Sequence, residues 1–420
     1  MIIGRLVSLP GRRFLATLGA LWLIAIAASV ALAGALPDST WVALKPLPGQ
    51  GRSAIFALAV DPNNNQDLVA ANSQGSLLRT TNGGGTWSTV HTGRQTLNTV
   101  SFSPFAAGLV LAGTRGGGAL VSRDSGATWS SPSGLDGRNV RVFAFALNLI
   151  AAGTDHGVFT SSDGRTWTSS ALSNSSISAI AVLAVHDPVR LIAGTDSQTS
   201  GGTLPLFESL DAGATWKQFN PPITGTMTVR LAAGPLPPTG AVRPLLLGTN
   251  TGLFLSTDNG ATYNPLSGGG LLPTTDYTQL AFITTHFDRF YAASDGGGSG
   301  SGGLWRTNDQ GQTYVSLQPP QPSVTAVAVS NDEQPTLYVA LFQPSNHAAT
   351  LWTYHDTGGT PVGPARGAPT VSTTRLSRDA GRSVLSGLLA SPELPYIGLG
   401  LGALAVVVTA VVAHLRGRRG

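Results

Sequence analysis

The chain has 420 residues, 53 of them Gly and none Cys, with 42% hydrophobic and 11% charged residues. The absence of Cys excludes disulfides, thiol chemistry and any Cys-held zinc. The formal charge of +4 suggests a basic protein, but only 15 of the 25 Lys and Arg residues fall within residues 37–357, against 19 acidic ones, so that segment carries a net charge near −4 and loses the electrostatic basis for binding nucleic acid.

At the N-terminus, Arg5, Arg12 and Arg13 precede an apolar run over 14–36. Ala31-Leu32-Ala33 and Ala33-Gly34-Ala35 are small-residue cleavage signals, so residues 1–36 are expected to be a signal peptide or an uncleaved anchor. Either version holds the arginines inside and places residues 37–357 outside the cytoplasm. Next, Ser39-Thr40-Trp41-Val42-Ala43-Leu44 has the look of a single strand without partners nearby in sequence.

From residue 55 the pattern becomes periodic. Ile55-Phe56-Ala57-Leu58-Ala59-Val60, Leu68-Val69-Ala70-Ala71 and Leu77-Leu78-Arg79-Thr80 are short apolar runs separated by polar turns such as Asp61-Pro62-Asn63-Asn64-Asn65. Such runs, bounded by Gly, Asn, Asp and Pro, predict strands joined by tight hairpins. A fourth strand is expected from Thr86-Trp87 onward.

Each period carries one short phrase. Its clearest copies are Ser122-Arg123-Asp124-Ser125-Gly126-Ala127-Thr128-Trp129 and Ser209-Leu210-Asp211-Ala212-Gly213-Ala214-Thr215-Trp216. Thr80-Thr81-Asn82-Gly83-Gly84-Gly85-Thr86-Trp87 has Asn for Asp. Thr160-Ser161-Ser162-Asp163-Gly164-Arg165-Thr166-Trp167 reads as having its carboxylate one place later. The copies at 256–263 and 307–314 keep Asp258 and Asp309 and end in Tyr. The terminal aromatics fall at 87, 129, 167, 216, 263 and 314, spacings of 42, 38, 49, 47 and 51. Periods of this length holding several strands are the mark of a propeller.

The phrase resembles the Asp-box of sialidases and related β-propellers, and that resemblance implies a folding device. Its Gly suits a positive φ, its Asp or Asn accepts from nearby backbone donors, and its aromatic fills the seam between blades. After the sixth box come three more strands, Val324-Thr325-Ala326-Val327-Ala328-Val329, Leu337-Tyr338-Val339-Ala340-Leu341 and Leu351-Trp352-Thr353-Tyr354, with no box. The stray strand at 39–44 is expected to supply the missing fourth. The expected fold is all-β: a seven-bladed propeller of four-stranded antiparallel blades over 37–357, closed by an N-terminal strand that removes the open edge.

Residues 358–394, rich in Gly, Pro, Ser, Thr and Arg, read as a flexible stalk. Residues 395–415 include a 19-residue apolar run at 397–415, long enough for a transmembrane helix, and 416–420 form a basic cytoplasmic tail. Leu394-Pro395-Tyr396-Ile397-Gly398 also resembles a sortase signal, but Ile397 replaces the Thr that such enzymes cut, so a plain membrane anchor is expected.

No catalytic set emerges. The resemblance to sialidases would require a Tyr nucleophile with a supporting Glu, an arginine cluster and an Arg-Ile-Pro motif. That motif is absent, and the only glutamates before the stalk are Glu208 and Glu333. The seven histidines show no metal-ligand spacing, and residues 296–303 lack the Lys-Ser/Thr of a phosphate loop. No cofactor and no metal are expected.

Boxes lie between third and fourth strands, which places second-to-third hairpins and inter-blade connections on the opposite face. That face is expected to hold Arg115, Asp155, His156, Asp196 and Asp295 from hairpins, and Arg94, Asp136 and Arg138 from connections. Arg141 and Arg230 are expected nearer the axis, where an arginine-bearing basin would suit an anionic or glycan ligand. The expected function is a monomeric, membrane-tethered, non-catalytic module or scaffold that binds protein or glycan outside the cytoplasm. Photosystem II assembly factors, which resemble this chain in being box-bearing seven-bladed propellers, act in that way. The alternative is a glycoside hydrolase using acidic residues of the same face, which needs two carboxylates roughly 5–9.5 Å apart.

Overall fold

The computed structural model describes residues 40–358, except 49–52, 186–187, 197–203, 224, 226, 236–241, 273–274, 285, 287 and 299–300. The expected leader, the stalk beyond 358, the membrane helix and the tail lie outside the described residues.

Strands at the expected places form seven antiparallel sheets. Their first strands are Ile55–Asp61, Leu97–Phe102, Val140–Phe145, Ile177–Ala184, Thr228–Ala233, Gln279–Phe282 and Val324–Val329. Each of these touches the next around a circuit, and Val324–Val329 meets Ile55–Asp61 to close it. They are therefore the inner strands of blades 1 to 7. In blade 7 the outermost strand is Trp41–Ala43, paired with Ala348–His355 in the register Trp41↔Tyr354, Val42↔Thr353 and Ala43↔Trp352. The propeller is thus closed by its N-terminal strand, as the lone strand signal at 39–44 predicts.

The core is divided among seven seams between neighbouring blades, each holding one box aromatic or its stand-in. Trp87 packs between blades 7 and 1, Trp129 between 1 and 2, Trp167 between 2 and 3, and Trp216 between 3 and 4. Tyr263 and Tyr314 fill the next two seams. The last, between blades 6 and 7, receives Trp41. Each aromatic removes a large apolar area from water, worth about 1.5–3 kcal/mol where burial is complete.

The boxes are built alike. Ser122 Oγ donates to Asp124 Oδ1 at 2.7 Å and accepts from the Gly126 N–H at 2.8 Å. Asp124 accepts from the Thr128 N–H at 2.8 Å and from Thr128 Oγ1 at 2.6 Å. Trp129 Nε1 returns to the Gly126 carbonyl at 3.0 Å. Two successive residues carry positive φ in five boxes: Gly83 and Gly84, Ser125 and Gly126, Ala212 and Gly213, Asn259 and Gly260, Gln310 and Gly311.

The third box differs from its reading in sequence. Ser161, not Thr160, is its first hydroxyl, accepting from the Gly164 N–H at 2.9 Å, and Asp163 keeps the usual place two residues later. One residue is missing between Asp163 and Gly164, so only Gly164 has a positive φ. The shortened turn coincides with a change in blade 2. Its fourth strand shrinks to a single bridge, Val121↔Ser130, and the chain then crosses to the third box, where Ser133 pairs with Thr166. The Ser133 N–H donates to the Arg165 carbonyl at 2.9 Å, and the Trp167 N–H donates to the Ser133 carbonyl at 3.0 Å.

Four second strands end in Gly-Thr, at 113–114, 153–154, 194–195 and 248–249. The glycine lets the next inner strand come close: a Cβ on Gly194 would lie 2.5 Å from Thr228. Thr114 Oγ1 and Thr154 Oγ1 each donate at 2.9 Å to a carbonyl across the following hairpin, which pins those loops on the face opposite the boxes.

Candidate functional site

The face opposite the boxes carries the second-to-third hairpins and the inter-blade connections. Because Trp41 starts an outer strand and His355 ends its neighbour, the described chain enters and leaves the propeller on the box face. The opposite face has no such crossing.

A belt of side chains surrounds the axis near this face. Six inner strands carry a bulge close to their start, which leaves Phe56, Asn98, Arg141, Ser178, Val229 and Thr325 as the extra residues. A bulge turns a side chain out of the ladder. Here Asn98 and Ser178 reach the next blade, as do Arg230 and Gln279, which keep their places in the ladder. Asn98 Nδ2 donates to the Val140 carbonyl at 3.2 Å, and Ser178 Oγ donates to the Thr228 carbonyl at 2.5 Å. Arg230 Nε donates to the Thr278 carbonyl at 3.1 Å, and Gln279 Nε2 donates to the Thr325 carbonyl at 3.2 Å. Below this belt lies an axial cavity of about 210 Å³, lined among others by Thr99, Ser101, Val142, Ile180, Arg230 and Gln279.

The residues singled out from sequence divide into three groups. Arg141 and Arg230 stand at the axis. Arg141 forms an ion pair with Asp196 from the neighbouring blade, so both charges are matched. Arg230 Nη2 donates to Gln279 Oε1 at 2.9 Å, and burial lowers its pKa. A second group is held by local contacts. Asp155 accepts from the Asn139 N–H at 3.1 Å and lies 3.1 Å from His156 Nδ1. Burial raises the Asp155 pKa, but the hydrogen bonds from His156 and Asn139 outweigh it and the net shift is downward. Arg138 stacks over the Phe159 ring, 5.6 Å from its centroid. The third group, Arg94, Arg115 and Asp136, is exposed on the loops.

Asp295 has a neighbour that sequence reasoning passes over. The pKa of Asp276 is raised by burial and then by the negative charge of Asp295, so blade 6 brings two carboxylates to this face. Asp276 lies in an inter-blade connection and Asp295 in a hairpin, and no repeat in the sequence links them. Gln279 also escapes a reading of the sequence; its signal is positional, since it occupies in blade 6 the register place that Arg230 holds in blade 5. Among the described residues no group of three or more His, Cys, Asp or Glu side chains is arranged to hold a metal ion.

No protein-family model and no curated relative matches the sequence. Solved structures match by shape. YCF48 from Cyanidioschyzon merolae superposes with a TM-score of 0.50 at 15% identity, over 76% of this chain and 99% of that one. A YCF48 bound to D1 peptide gives 0.52 at 14% identity, over 76% and 96%. The GH74 xyloglucanase from Xanthomonas campestris gives 0.49 at 18% identity, and the match covers 69% of this chain and 51% of that longer protein. At these identities the YCF48 structures establish a common propeller fold and nothing finer.

Proposed function

We propose that this chain is an extracytoplasmic, membrane-tethered propeller that binds a polypeptide segment of a partner protein on the face opposite its boxes, without catalysing a reaction. The observation that carries this reading is the organisation of that face. Side chains at the start of the inner strands, from bulges at Asn98 and Ser178 and from ladder positions at Arg230 and Gln279, are tied from blade to blade around a polar axial cavity, and the described chain crosses the disc only on the other side. Most charged groups there are matched or locally held, as in Arg141–Asp196 and Asp155–His156, which suits recognition by a fixed surface. A YCF48 propeller of the same fold holds a peptide, which makes such a ligand reasonable on this scaffold. The box turns support grouping the chain with Asp-box propellers of the assembly-factor kind.

Selection of random peptides on the full chain in nanodiscs tests the reading. Enriched peptides should lose binding when Arg94, Arg115 and Arg138 are together changed to Glu, and should keep it when Arg123 and Arg165 on the box face are changed. No enrichment, or dependence on the box face alone, overturns it.

Asp276 favours a second reading. A carboxyl raised by burial and by a neighbouring carboxylate is what a glycosidase uses as its acid. Turnover of fluorogenic glycosides that disappears with Asp276→Asn or Asp295→Asn would replace the binding function with a hydrolase.

A further inference from the structure

Arg230 is the one charged residue among those lining the axial cavity. Its Nε and Nη2 are taken by the Thr278 carbonyl and by Gln279 Oε1, both neutral acceptors. Among the described residues no carboxylate pairs with it, whereas Arg141, one blade pair away on the same belt, has Asp196. Its side chain is half-buried, and burial lowers its pKa. Holding such a cation is costly, and proteins ordinarily pair it. Its remaining nitrogen, Nη1, has no hydrogen-bond partner among the described residues, and the residue lines the cavity.

The cavity limits what can pair with it. At about 210 Å³ it falls short of the about 300–1,000 Å³ of a site for a whole small molecule. One planar carboxylate and its first carbons fit this space. Thr99 and Ser101 of blade 2 also line it. A guanidinium matches a carboxylate by geometry as well as charge.

We infer that the axial cavity is a carboxylate-binding site in which Arg230 receives one acidic group of the bound polypeptide, either a chain end or an Asp or Glu side chain. This rests on the peptide-binding reading for the identity of the ligand, but the site itself is defined by Arg230 and the cavity.

The test uses the full chain in nanodiscs and three versions of each enriched peptide: one with a free C-terminal carboxylate as its only acid, one amidated with a single internal Glu, and one amidated with no acid. At least one acidic version should bind about tenfold or more tightly than the neutral one. Which of the two does so identifies the source of the carboxylate. The preference should vanish in Arg230→Gln and persist in Arg230→Lys, and Arg165→Gln on the box face should leave it intact. Sodium acetate should raise the melting temperature of the wild type more than acetamide does, and equally little in Arg230→Gln. Because Arg230→Gln removes a half-buried charge that no carboxylate among the described residues matches, its own melting temperature should be unchanged or higher; a large fall would make Arg230 a structural strut and overturn the inference. Equal binding of acidic and neutral peptides overturns it while sparing the peptide-binding reading. Protection by acetate when the selection enriches no peptide supports the site and overturns that reading instead.

Discussion

Trp41 and Tyr354 are register partners, and their rings lie 4.9 Å apart between centroids. The contact brings an N-terminal residue into the seam between blades 6 and 7, which no box aromatic reaches. Trp41 Nε1 also donates to the Leu317 carbonyl at 2.8 Å, so one side chain ties the closing strand to the blade before it. Trp41→Ala should therefore destabilise the ring by about 2–3 kcal/mol, less than the about 3–5 of a fully buried Trp because the residue keeps some exposure. Val42→Ala on the same strand, 56% exposed, should fall within about 0.5 kcal/mol of the wild type. Urea denaturation gives both values, and faster amide exchange over 348–355 in Trp41→Ala would locate the opening.

The boxes predict an asymmetry between two changes at one carboxylate. Asn82 does in the first box what Asp does elsewhere: its Oδ1 accepts from the Thr86 N–H at 2.9 Å, and its Nδ2 donates to Thr86 Oγ1 at 3.0 Å. Asp124→Asn should hence cost little, whereas Asp124→Ala strands the Thr128 donors and should cost about 1 kcal/mol. Equal losses in the two variants by thermal denaturation would show that the turn depends on charge.

The same carboxylates set the acid limit. Burial raises the pKa of Asp124, but hydrogen bonds from Thr128, Ser122 and the Ala127 N–H bring it down to about 2. Asp163, held chiefly by the Arg165 N–H, and Asp211, held chiefly by the Thr215 hydroxyl, are also lowered. Asp258 and Asp309 follow, with burial opposed by Thr262 and Thr313. A group with a folded pKa below its unfolded value stabilises above that unfolded value and loses the contribution as pH falls through the folded one. Stability should therefore be level above about pH 5 and decline between about pH 4 and pH 2. Changing the five Asp residues to Asn should flatten that decline in melting curves taken across the window.

Much of the fold is legible because the chain repeats a physical solution. The box spacing and the strand runs foretell seven blades, and the lone strand signal at Trp41 foretells how they close. The details that escape are those a single repeat cannot encode. The third box reads as having a displaced carboxylate because Thr160 mimics the usual first hydroxyl; only the hydrogen bond to Ser161 reveals a deletion. Bulges, which decide that Arg141 and Ser178 leave the ladder, leave no mark in an apolar run. For the candidate site, sequence topology puts hairpins and connections opposite the boxes but cannot tell Arg141, matched by Asp196, from Arg230, which meets the Thr278 carbonyl, since these partners are brought there by different blades.

Positive φ in consecutive box residues gives a further prediction. Ala212 has φ 59°, a conformation that costs an L-residue about 1–2 kcal/mol, and the first box places Gly83 at the same point. Ala212→Gly should raise stability by about 0.5–1 kcal/mol, the relief of strain exceeding the added freedom of the unfolded chain. Gly213→Ala, at φ 91°, should lower it. If both changes destabilise equally in urea, the turn is not strained at Ala212.

The end of the last strand is held by a buried ion pair, which yields the strongest effect. Asp356 is 0% exposed and Arg306 4% exposed, and they meet at 2.5 Å across blades 6 and 7. Asp356 also accepts from the Tyr291 hydroxyl at 2.6 Å and from the Gly358 N–H at 3.0 Å. Burial, and then the Asp356 charge, push the Tyr291 pKa well up, which keeps its hydroxyl a donor at any ordinary pH. Asp356→Ala removes the acceptor from three donors at once and leaves a buried cation, so it should cost about 3–5 kcal/mol. The double change Arg306→Met with Asp356→Leu removes both charges and should recover most of that loss, because a buried pair repays little beyond its own desolvation. The difference between single and double variants in urea denaturation measures the coupling. A double variant no more stable than Asp356→Ala would mean that the bonds from Tyr291 and Gly358 to the carboxylate, rather than charge balance, keep the last strand docked beside Trp41.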